Sequence, residues 1–423
     1  MASEKWRNEE KGAGKSAPKC ICCRPGETTP LGRPFQNVEG QEWRLIMSEV
    51  ENHAVADART PPVAVWQILE KLKGQELLDW RLAPLQGRAS IKDRNLDIGF
   101  PFGWYPVALS SDLAKGEVRP LRYFSKDLAI WRGEDGQVRM VDAYCRHLGA
   151  HMGHGGKVHG NLLECPFHAW RYDGIEGIVR EIPYSKSIPP QVKRKCTRTW
   201  HVTEANRWIW MWYHPEDIAP LFEVVHIPEC SDPDWTEYDV HEWNVYGSIQ
   251  NMAENGVDVA HFKYIHGTAN VPLGDLRWGE WGRGADVRGK MGTPWGEVDG
   301  CISYDTMGPG QSWTRFTGIS ETLLVACITP VELDHVHARF CFTQPKAQAE
   351  GERAGVAKAI IRDICKQFDQ DKVIWDRQRY EPNALICEGD GPIAQFRKFY
   401  SRYYARPGAP GEGDNVTPIR QTR

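Results

Sequence analysis

The feature that most constrains the fold is a set of four candidate metal ligands in two short segments. Cys145-Arg-His147 is followed, after seventeen residues, by Cys165-Pro-Phe-His168. Each segment pairs a thiolate with an imidazole, whereas a zinc site of two cysteines and two histidines usually groups like residues together. The mixed pairing suits a [2Fe–2S] cluster in which Cys145 and Cys165 bind one iron and His147 and His168 bind the other. A zinc ion held by the same four residues is the alternative.

Short strand-like runs surround these ligand segments from about Phe100 to His214. The turn EDGQ separates DLAIWRG from VRMVDAYC, and Ala-Asn interrupts the later run HVTEANRWIWMWYH. An Asp-Gly pair between two apolar runs is typical of a β-hairpin. The sequence therefore predicts a small all-β domain that carries both ligand segments.

Size and charge exclude several classes of protein. The chain has 423 residues and a formal net charge of −4, which allows two or three domains and leaves no broad basic surface for nucleic acid. It contains no apolar run of about 18 residues, so we expect no transmembrane segment. The lysine-rich stretch Met1 to Thr29 lacks the apolar core of a signal peptide. We therefore expect a cytoplasmic protein whose cysteines are reduced or metal-bound.

The remaining regions differ in composition and in predicted secondary structure. Because they add helices to the strands, the predicted fold class is α+β. Cys20, Cys22 and Cys23 could bind a metal, but they lie in a Gly-, Pro- and Lys-rich stretch that we interpret as an exposed tail. The run VAVWQILEKL after Pro61 has helical periodicity. The predicted divisions are a disordered tail (1–40), a helical lead-in (41–99), the all-β domain (100–215), a mixed domain with helices near 250–266 and 353–380 (216–405), and a second disordered tail (406–423).

A second candidate metal site begins in the segment from Asn251 to Gly267, which contains His261 and His266. Residues five apart differ by roughly 140° around a helix, so two ligands to one metal require the helix to end or bulge between them. Gly267, directly after His266, fits such an ending. Asp258 precedes His261 by one helical turn. A histidine pair of this kind is by itself more often packed than metal-bound.

Asp371 supplies the third candidate ligand. It completes an otherwise apolar stripe along the predicted C-terminal helix, formed by Val356, Ile360, Ile364, Phe368 and Trp375. Burying an unpaired carboxylate costs several kcal/mol, so Asp371 needs a metal or a charge as partner. Asp363, Asp369 and Asp376 fall off this stripe and are expected to be solvated. Two histidines and one carboxylate are the ligand set of non-haem iron(II) enzymes, which leaves positions open for O₂.

These motifs resemble those of the Rieske non-haem iron oxygenases. The resemblance runs from about Phe100 to Tyr404 and includes CRHLGAHMGHGG, CPFHAWRYDG, the pattern D-x-x-H-x₄-H and the later D-x-x-I-W. It implies a Rieske domain followed by a helix-grip catalytic domain with an antiparallel sheet and C-terminal helices. It also implies that His261, His266 and Asp371 bind a mononuclear iron(II), and that Asp258 relays electrons from the cluster of a neighbouring subunit in a homotrimer. One departure is E-N-G-V-D, where E-N-V-x-D is commoner in the family.

The motifs also resemble one particular branch of this family, and the sequence indicates where its electrons would come from. The segment N-x-x-D-x-x-H-F-x-Y-I-H-G and the closing Phe396-Arg-Lys-Phe-Tyr400 look most like the branch of 3-ketosteroid 9α-hydroxylase oxygenases and sterol desaturases. That likeness implies O₂-dependent hydroxylation of a bulky, hydrophobic, steroid-like substrate. Demethylation, desaturation, ring dioxygenation and pure electron transfer are the alternatives. Because G-x-G-x-x-G is absent, electrons from NAD(P)H are expected to arrive through a separate ferredoxin or flavin reductase.

Overall fold

The computed structural model describes residues 69, 72–85, 87–267, 274–293, 296–350, 354–404 and 416–418. The predicted tail at 1–40, with its three cysteines, lies outside the described residues. So does most of the predicted helix after Pro61 and most of the predicted tail at 406–423. Nothing in the structure therefore bears on those expectations, or on the outer limits of the predicted divisions.

The first domain is built from ten short strands in three antiparallel sheets. Their hydrogen-bonded orders are β1–β10–β9, β2–β3–β4 and β5–β6–β7–β8. The strands are β1 (Gly103–Leu109), β2 (Val118–Tyr123), β3 (Lys126–Arg132), β4 (Val138–Asp142), β5 (Lys157–His159), β6 (Leu162–Glu164), β7 (Arg171–Tyr172), β8 (Val179–Glu181), β9 (Val202–Ala205) and β10 (Trp208–Tyr213).

Both predicted hairpins are present. The EDGQ turn joins β3 to β4, and Asn206 and Arg207 join β9 to β10. Asn206 and Arg207 have φ angles of 53° and 65°. Positive φ at both central residues is the backbone of a two-residue hairpin turn, and asparagine tolerates it better than most residues.

The second domain is a seven-stranded antiparallel sheet with helices. The sheet order is β11–β17–β16–β15–β14–β13–β12. Its strands are β11 (Asp239–Val245), β12 (Asp275–Trp278), β13 (Gly282–Thr293), β14 (Gly296–Met307), β15 (Gln311–Thr317), β16 (Thr322–Glu332) and β17 (His335–Thr343). A short parallel pair, β18 (Ala384–Ile386) and β19 (Val416–Pro418), lies outside this sheet.

Six α-helices complete the described chain; short 3₁₀ turns occur at 110–112, 190–192, 228–230 and 401–403. The helices are α1 (Gln75–Leu82), α2 (Ile249–Glu254), α3 (Ala260–Tyr264), α4 (Lys346–Ala349), α5 (Ala354–Trp375) and α6 (Ile393–Tyr400). The long helix predicted at 353–380 is α5. The helix predicted at 250–266 is two short helices, α2 and α3, separated by the turn at 255–259. Together with the two sheet domains, these helices confirm the α+β prediction.

Helix α5 packs across the sheet through aromatic side chains. Phe368 lies against Trp243 and Phe340, with ring centroids 4.6 Å from each. Trp375 follows two turns later in the same buried cluster, which also contains residues of β3 and β10 from the first domain. A single apolar core thus continues from one domain into the other and fixes the helix that carries Asp371.

No helix among the described residues is both long enough and apolar enough to cross a membrane.

Candidate metal centres

The two predicted cluster segments fold into loops with the same hydrogen-bond frame. The N–H of Cys145 donates to the carbonyl five residues later, at Ala150, and its carbonyl accepts from the N–H four residues later, at Gly149, both at 2.9 Å. Cys165 repeats both bonds with Trp170 at 2.8 Å and Ala169 at 3.0 Å. The repeated frame presents one thiol and one imidazole from each loop in equivalent positions.

The four predicted ligands meet between these loops. The thiols of Cys145 and Cys165 are buried and lie next to each other, and the rings of His147 and His168 have centroids 4.7 Å apart. Burial raises the pKa of the Cys165 thiol, while the backbone N–H groups of Phe167 and His168 lower it. Those amides point at the sulfur and favour its thiolate, the form that binds iron.

Atoms around the loops also fit a cluster. Nδ1 of His147 is buried and has no hydrogen-bond partner among the described residues, so a metal is a suitable neighbour for it. The His147 ring stacks on Trp170 at 4.6 Å, and the Tyr172 hydroxyl lies 3.2 Å from the Cys145 sulfur. Sequence reasoning identified neither aromatic residue, because each belongs to a strand or loop end that looks like ordinary core. A β-carbon on Gly156 would lie 2.0 Å from the Met152 carbonyl oxygen, so only glycine fits there.

The second candidate centre brings together His261, His266 and Asp371. One ligand atom from each lies within 4.8 Å of the others, and Nε2 of His266 is 3.3 Å from Oδ1 of Asp371. Helix α3 ends at Tyr264, so His266 lies beyond its last turn, and Gly267 has a φ of +73°. The expected helix end between the two histidines is therefore present.

Hydrogen bonds orient both imidazoles in the same way. Nδ1 of His261 donates to the carbonyl oxygen of Asp258 at 2.7 Å, and Nδ1 of His266 donates to Oε1 of Gln370 at 2.9 Å. In its neutral form each ring then has Nε2 free as the ligand atom; Nε2 of His266 faces Asp371, and Nε2 of His261 faces the amide of Asn255. Acceptors that fix the tautomer of a ligand histidine are usual in metal sites. The donor set therefore fits a divalent cation.

Charge in this site favours a cation as well. Burial lowers the pKa of His266, but the hydrogen bond and charge of Asp371, with Gln370, outweigh it and leave that pKa above its ordinary value. Nδ2 of Asn255 donates to Oδ2 of Asp371 at 2.9 Å and lies 3.1 Å from Nε2 of His261. The Asp371 carboxylate therefore interacts with the His266 imidazole and with the N–H of the Asn255 amide. The same negative charge would attract a metal cation.

Asp258 lies at the mouth of the site rather than among the ligands. Its Oδ1 accepts from the backbone N–H of His261 at 3.2 Å, and about a third of its side chain (33%) is exposed. A cleft of about 440 Å³ opens beside it, lined by Ile374, Leu385 and the buried ion pair of Glu254 with Arg397. Asp258 is thus connected to an iron-ligand candidate on one side and to solvent on the other.

Two expectations about α5 are wrong. Asp369 and Asp376 were expected to be solvated, yet both are only 5% exposed. Asp369 pairs with Arg81, and Asp376 pairs with Lys372 at 2.6 Å. The apolar stripe predicted one buried helix face, but residues before Phe100 cover a second face. Sequence reasoning also missed Asn255 and Gln370 as partners of the candidate ligands, because Asn255 meets Asp371 across 116 residues and Gln370 meets His266 across 104.

Two protein-family models match the chain in succession. The Rieske [2Fe-2S] domain family matches residues 103–194, and the 3-ketosteroid 9α-hydroxylase C-terminal domain family matches residues 211–404. A 3-ketosteroid-9-alpha-monooxygenase oxygenase component of Rhodococcus rhodochrous is 29% identical over 321 residues, covering 72% of this chain and 80% of the relative. A cholesterol 7-desaturase of Caenorhabditis elegans is 30% identical over 340 residues, covering 72% and 77%.

Solved structures share the fold. Dicamba monooxygenase bound to dicamba superposes with a TM-score of 0.56 at 17% identity, covering 71% of this chain and 96% of that one. NdmA of Pseudomonas putida CBB5 gives 0.55 at 20% identity, covering 72% and 90%. The chain belongs to the Rieske non-haem iron oxygenases, in the family of the 3-ketosteroid 9α-monooxygenase oxygenase components and the cholesterol 7-desaturases.

Proposed function

We propose that this terminal oxygenase hydroxylates a bulky, hydrophobic, steroid-like substrate, using O₂ and electrons from a separate NAD(P)H-dependent reductase. The observation that carries the proposal is the convergence of His261, His266 and Asp371 beside an open cleft. The relatives support the substrate class, since one is named for 3-ketosteroids and the other for cholesterol. Sterol desaturation is the second candidate, favoured by the desaturase relatives.

Each candidate ligand has a defined task. The [2Fe–2S] cluster would be held by Cys145, Cys165, His147 and His168. His261, His266 and Asp371 would hold an iron(II) ion, which supplies O₂ binding and activation when bound. Gln370 keeps Nε2 of His266 free for the metal, and Asn255 orients Asp371. The Glu254–Arg397 pair fixes the cleft wall beside them.

Electron transfer would take place between subunits of a homotrimer. Exposed apolar side chains lie beside the cluster loops, at Leu148, Phe167 and Tyr184, and a second exposed set flanks the cleft mouth, at Ile374 and Leu385. Two different apolar patches on one chain can meet head to tail, and such a contact closes into a ring when the rotation allows. In that ring the exposed carboxylate oxygen of Asp258 would accept a hydrogen bond from a cluster histidine of the next subunit and carry the electron toward His261.

The setting of the reaction is proposed to be the cytoplasm. The support for this proposal is the reaction itself, since the electrons would come from an NAD(P)H-dependent reductase, and the lysine-rich stretch Met1 to Thr29 lacks the apolar core of a signal peptide.

Product analysis tests the proposed function. Purified enzyme, a compatible ferredoxin or flavin reductase, NADH and ¹⁸O₂ would be incubated with a panel of 3-ketosteroids, sterols and aromatic acids. We expect one ¹⁸O atom in a steroid product. A new double bond without ¹⁸O would establish the desaturase instead, and turnover of only the aromatic acids would refute the substrate class.

Metal analysis separates the oxygenase from a simple electron carrier. A cluster plus one mononuclear ion predicts about three irons per chain, whereas a Rieske electron carrier would hold about two. Asp371→Ala should lose one iron and keep the cluster spectrum. Asp258→Asn should keep all the iron and lose reoxidation of the reduced cluster by O₂ in the presence of substrate.

A further inference from the structure

Residues that precede both matched domains contact the back of the helix that carries Asp371. We define the N-terminal arm as residues 72–85 and 87–98, which include α1. Arg81 of the arm forms a two-pronged ion pair with Asp369 of α5, at 2.8 Å from Nε to Oδ1 and 2.6 Å from Nη2 to Oδ2. The indole N–H of Trp243 donates to the same carboxylate at 2.7 Å. All three side chains are buried.

A second arginine of the arm caps the end of α5. Nη2 of Arg94 donates to the carbonyl oxygens of Trp375 at 3.0 Å, Gln378 at 2.8 Å and Tyr246 at 2.6 Å. The last carbonyls of a helix lack partners within the helix, and an arginine there also interacts favourably with the helix dipole. The backbone of Arg94 accepts a further bond from the N–H of Tyr380 at 2.9 Å.

These contacts fall on the side of α5 turned away from the metal site. Asp369 and Lys372 lie roughly 160° and 100° around the helix axis from Asp371. Lys372 is buried next to Trp80 of the arm, with its ammonium 5.1 Å from the ring centroid. The arm therefore contacts α5 at Asp369 and Lys372, which lie close to Asp371 in sequence but on other faces of the helix.

We propose that the N-terminal arm positions the iron-binding carboxylate, with Arg81 and Arg94 as positioning residues; this inference rests on the proposed mononuclear iron site. The buried Arg81–Asp369 pair joins the arm to α5 in one geometry, and removal of either partner would leave a buried charge without compensation. A rotation of α5 by 10° would move a side-chain atom at its rim by roughly 1 Å. That displacement is several times the tolerance of a metal–oxygen bond, which is about 0.2 Å. Loss of the arm contacts should therefore weaken metal binding by more than the accompanying loss of folding stability explains.

The experiment uses protein that keeps its cluster and has lost only the mononuclear iron to a mild chelator. Co²⁺ is then titrated, and its d–d absorption gives the stoichiometry and dissociation constant. We expect one Co²⁺ per wild-type chain and about tenfold weaker binding by Arg81→Met, the range seen when residues that orient metal ligands are lost. Arg81→Lys, which restores the charge, should recover part of that affinity. Arg94→Lys provides an independent variant, since lysine lacks the Nε–H that Arg94 also donates to the carbonyl oxygen of Gln378 at 3.0 Å.

Two controls separate positioning from general destabilisation. Arg180→Met removes an exposed ion pair with Asp173 and Glu176, away from α5. Leu323→Ala removes apolar contacts from a second buried cluster, which contains no residue of α5. It should therefore lower the Tm without changing the cobalt dissociation constant. In every variant the visible circular dichroism of the cluster should match that of the wild type.

The outcomes are distinct. A wild type that binds no Co²⁺ would contradict the proposed iron site itself. Binding by the wild type that Arg81→Met and Arg94→Lys leave unchanged would contradict the role of the arm alone. Affinity that follows Tm across all variants, Leu323→Ala included, would also overturn it.

Discussion

Asn255 contacts two candidate iron ligands through a single amide nitrogen. Its Nδ2 lies 2.9 Å from Oδ2 of Asp371 and 3.1 Å from Nε2 of His261. A metal on Nε2 of His261 would occupy the lone pair that now faces the amide, so only the bond to Asp371 can remain. Asn255 would then hold the carboxylate while the histidine turns to the metal.

Replacement of Asn255 therefore has a defined effect. We expect Asn255→Ala to weaken Co²⁺ binding about tenfold, because Asp371 loses the partner that orients it. The cluster content should stay at the wild-type level. Asn383→Ala, at a surface position outside the cleft lining, serves as the matched control. Unchanged cobalt affinity in Asn255→Ala would show that Asp371 is held by α5 alone.

At the level of single residues, the sequence indicates only what a local pattern carries. Asp371 interrupts an apolar stripe, and that anomaly is visible in the sequence alone. Asp369 shows no anomaly, because its partner Arg81 lies 288 residues earlier and the stripe says nothing of a second covered face. Gln370 meets His266 across 104 residues for the same reason. Helix periodicity predicts which side chains are buried against the core, but it does not predict which distant segment covers the other side.

At the scale of elements, the loop from Cys145 to Gly156 depends on close backbone packing. A β-carbon on Gly156 would lie 2.0 Å from the Met152 carbonyl oxygen, far inside contact distance. We expect Gly156→Ala to displace this loop and to reduce cluster content by more than half, as measured by acid-labile sulfide and visible absorption. Gly289→Ala has no heavy atom within 4 Å of the added carbon and should keep a full cluster. Wild-type cluster content in Gly156→Ala would mean that the loop adapts to the added methyl group.

Elements were predictable when turn residues marked their ends. The β3–β4 and β9–β10 hairpins follow from Asp-Gly and Asn-containing turns between apolar runs. The single helix predicted at 250–266 missed the break between α2 and α3, although the break contains the weak helix formers Asn255, Gly256 and Asp258. The turn is stabilised by local hydrogen bonds, in which the backbone N–H and Nδ1 of His261 donate to Oδ1 and the carbonyl oxygen of Asp258 three residues earlier. The order of the seven strands is set by packing between distant segments, not by local sequence.

At the scale of the whole molecule, His335 makes stability depend on pH. Burial lowers its pKa to about 4, and Arg88, His337 and Lys372 add to the effect while Glu332 opposes it. Its Nε2 donates to Oδ1 of Asn244 at 3.0 Å. The unfolded chain takes up a proton on this histidine near pH 6.5, but the folded chain does so only near pH 4. The contribution of His335 to the free energy of unfolding is therefore fully present above pH 6.5 and is lost as the pH falls toward 4.

The loss amounts to about 2 kcal/mol between pH 8 and pH 5. His335→Gln keeps a donor for Asn244 but does not titrate in this range. We therefore expect the fall in Tm between pH 8 and pH 5, at one heating rate, to be smaller in His335→Gln than in the wild type. Equal falls in the two proteins would mean that His335 is protonated in the folded state.

The proposed ring of subunits makes a prediction that no single-chain arrangement shares. Asp371→Ala subunits would keep the cluster and lack the mononuclear iron, and His168→Ala subunits would lack the cluster and keep the iron. Each variant alone should be inactive. When both are co-expressed in equal amounts, the cluster of one variant faces the iron of the other at about a quarter of the interfaces in randomly assembled head-to-tail rings. Activity per chain should then recover to about a quarter of the wild-type value, after correction for the measured subunit ratio. Because electron transfer within one chain would give no recovery at any ratio, an inactive mixed trimer with both metal centres loaded would refute the path through Asp258 between subunits.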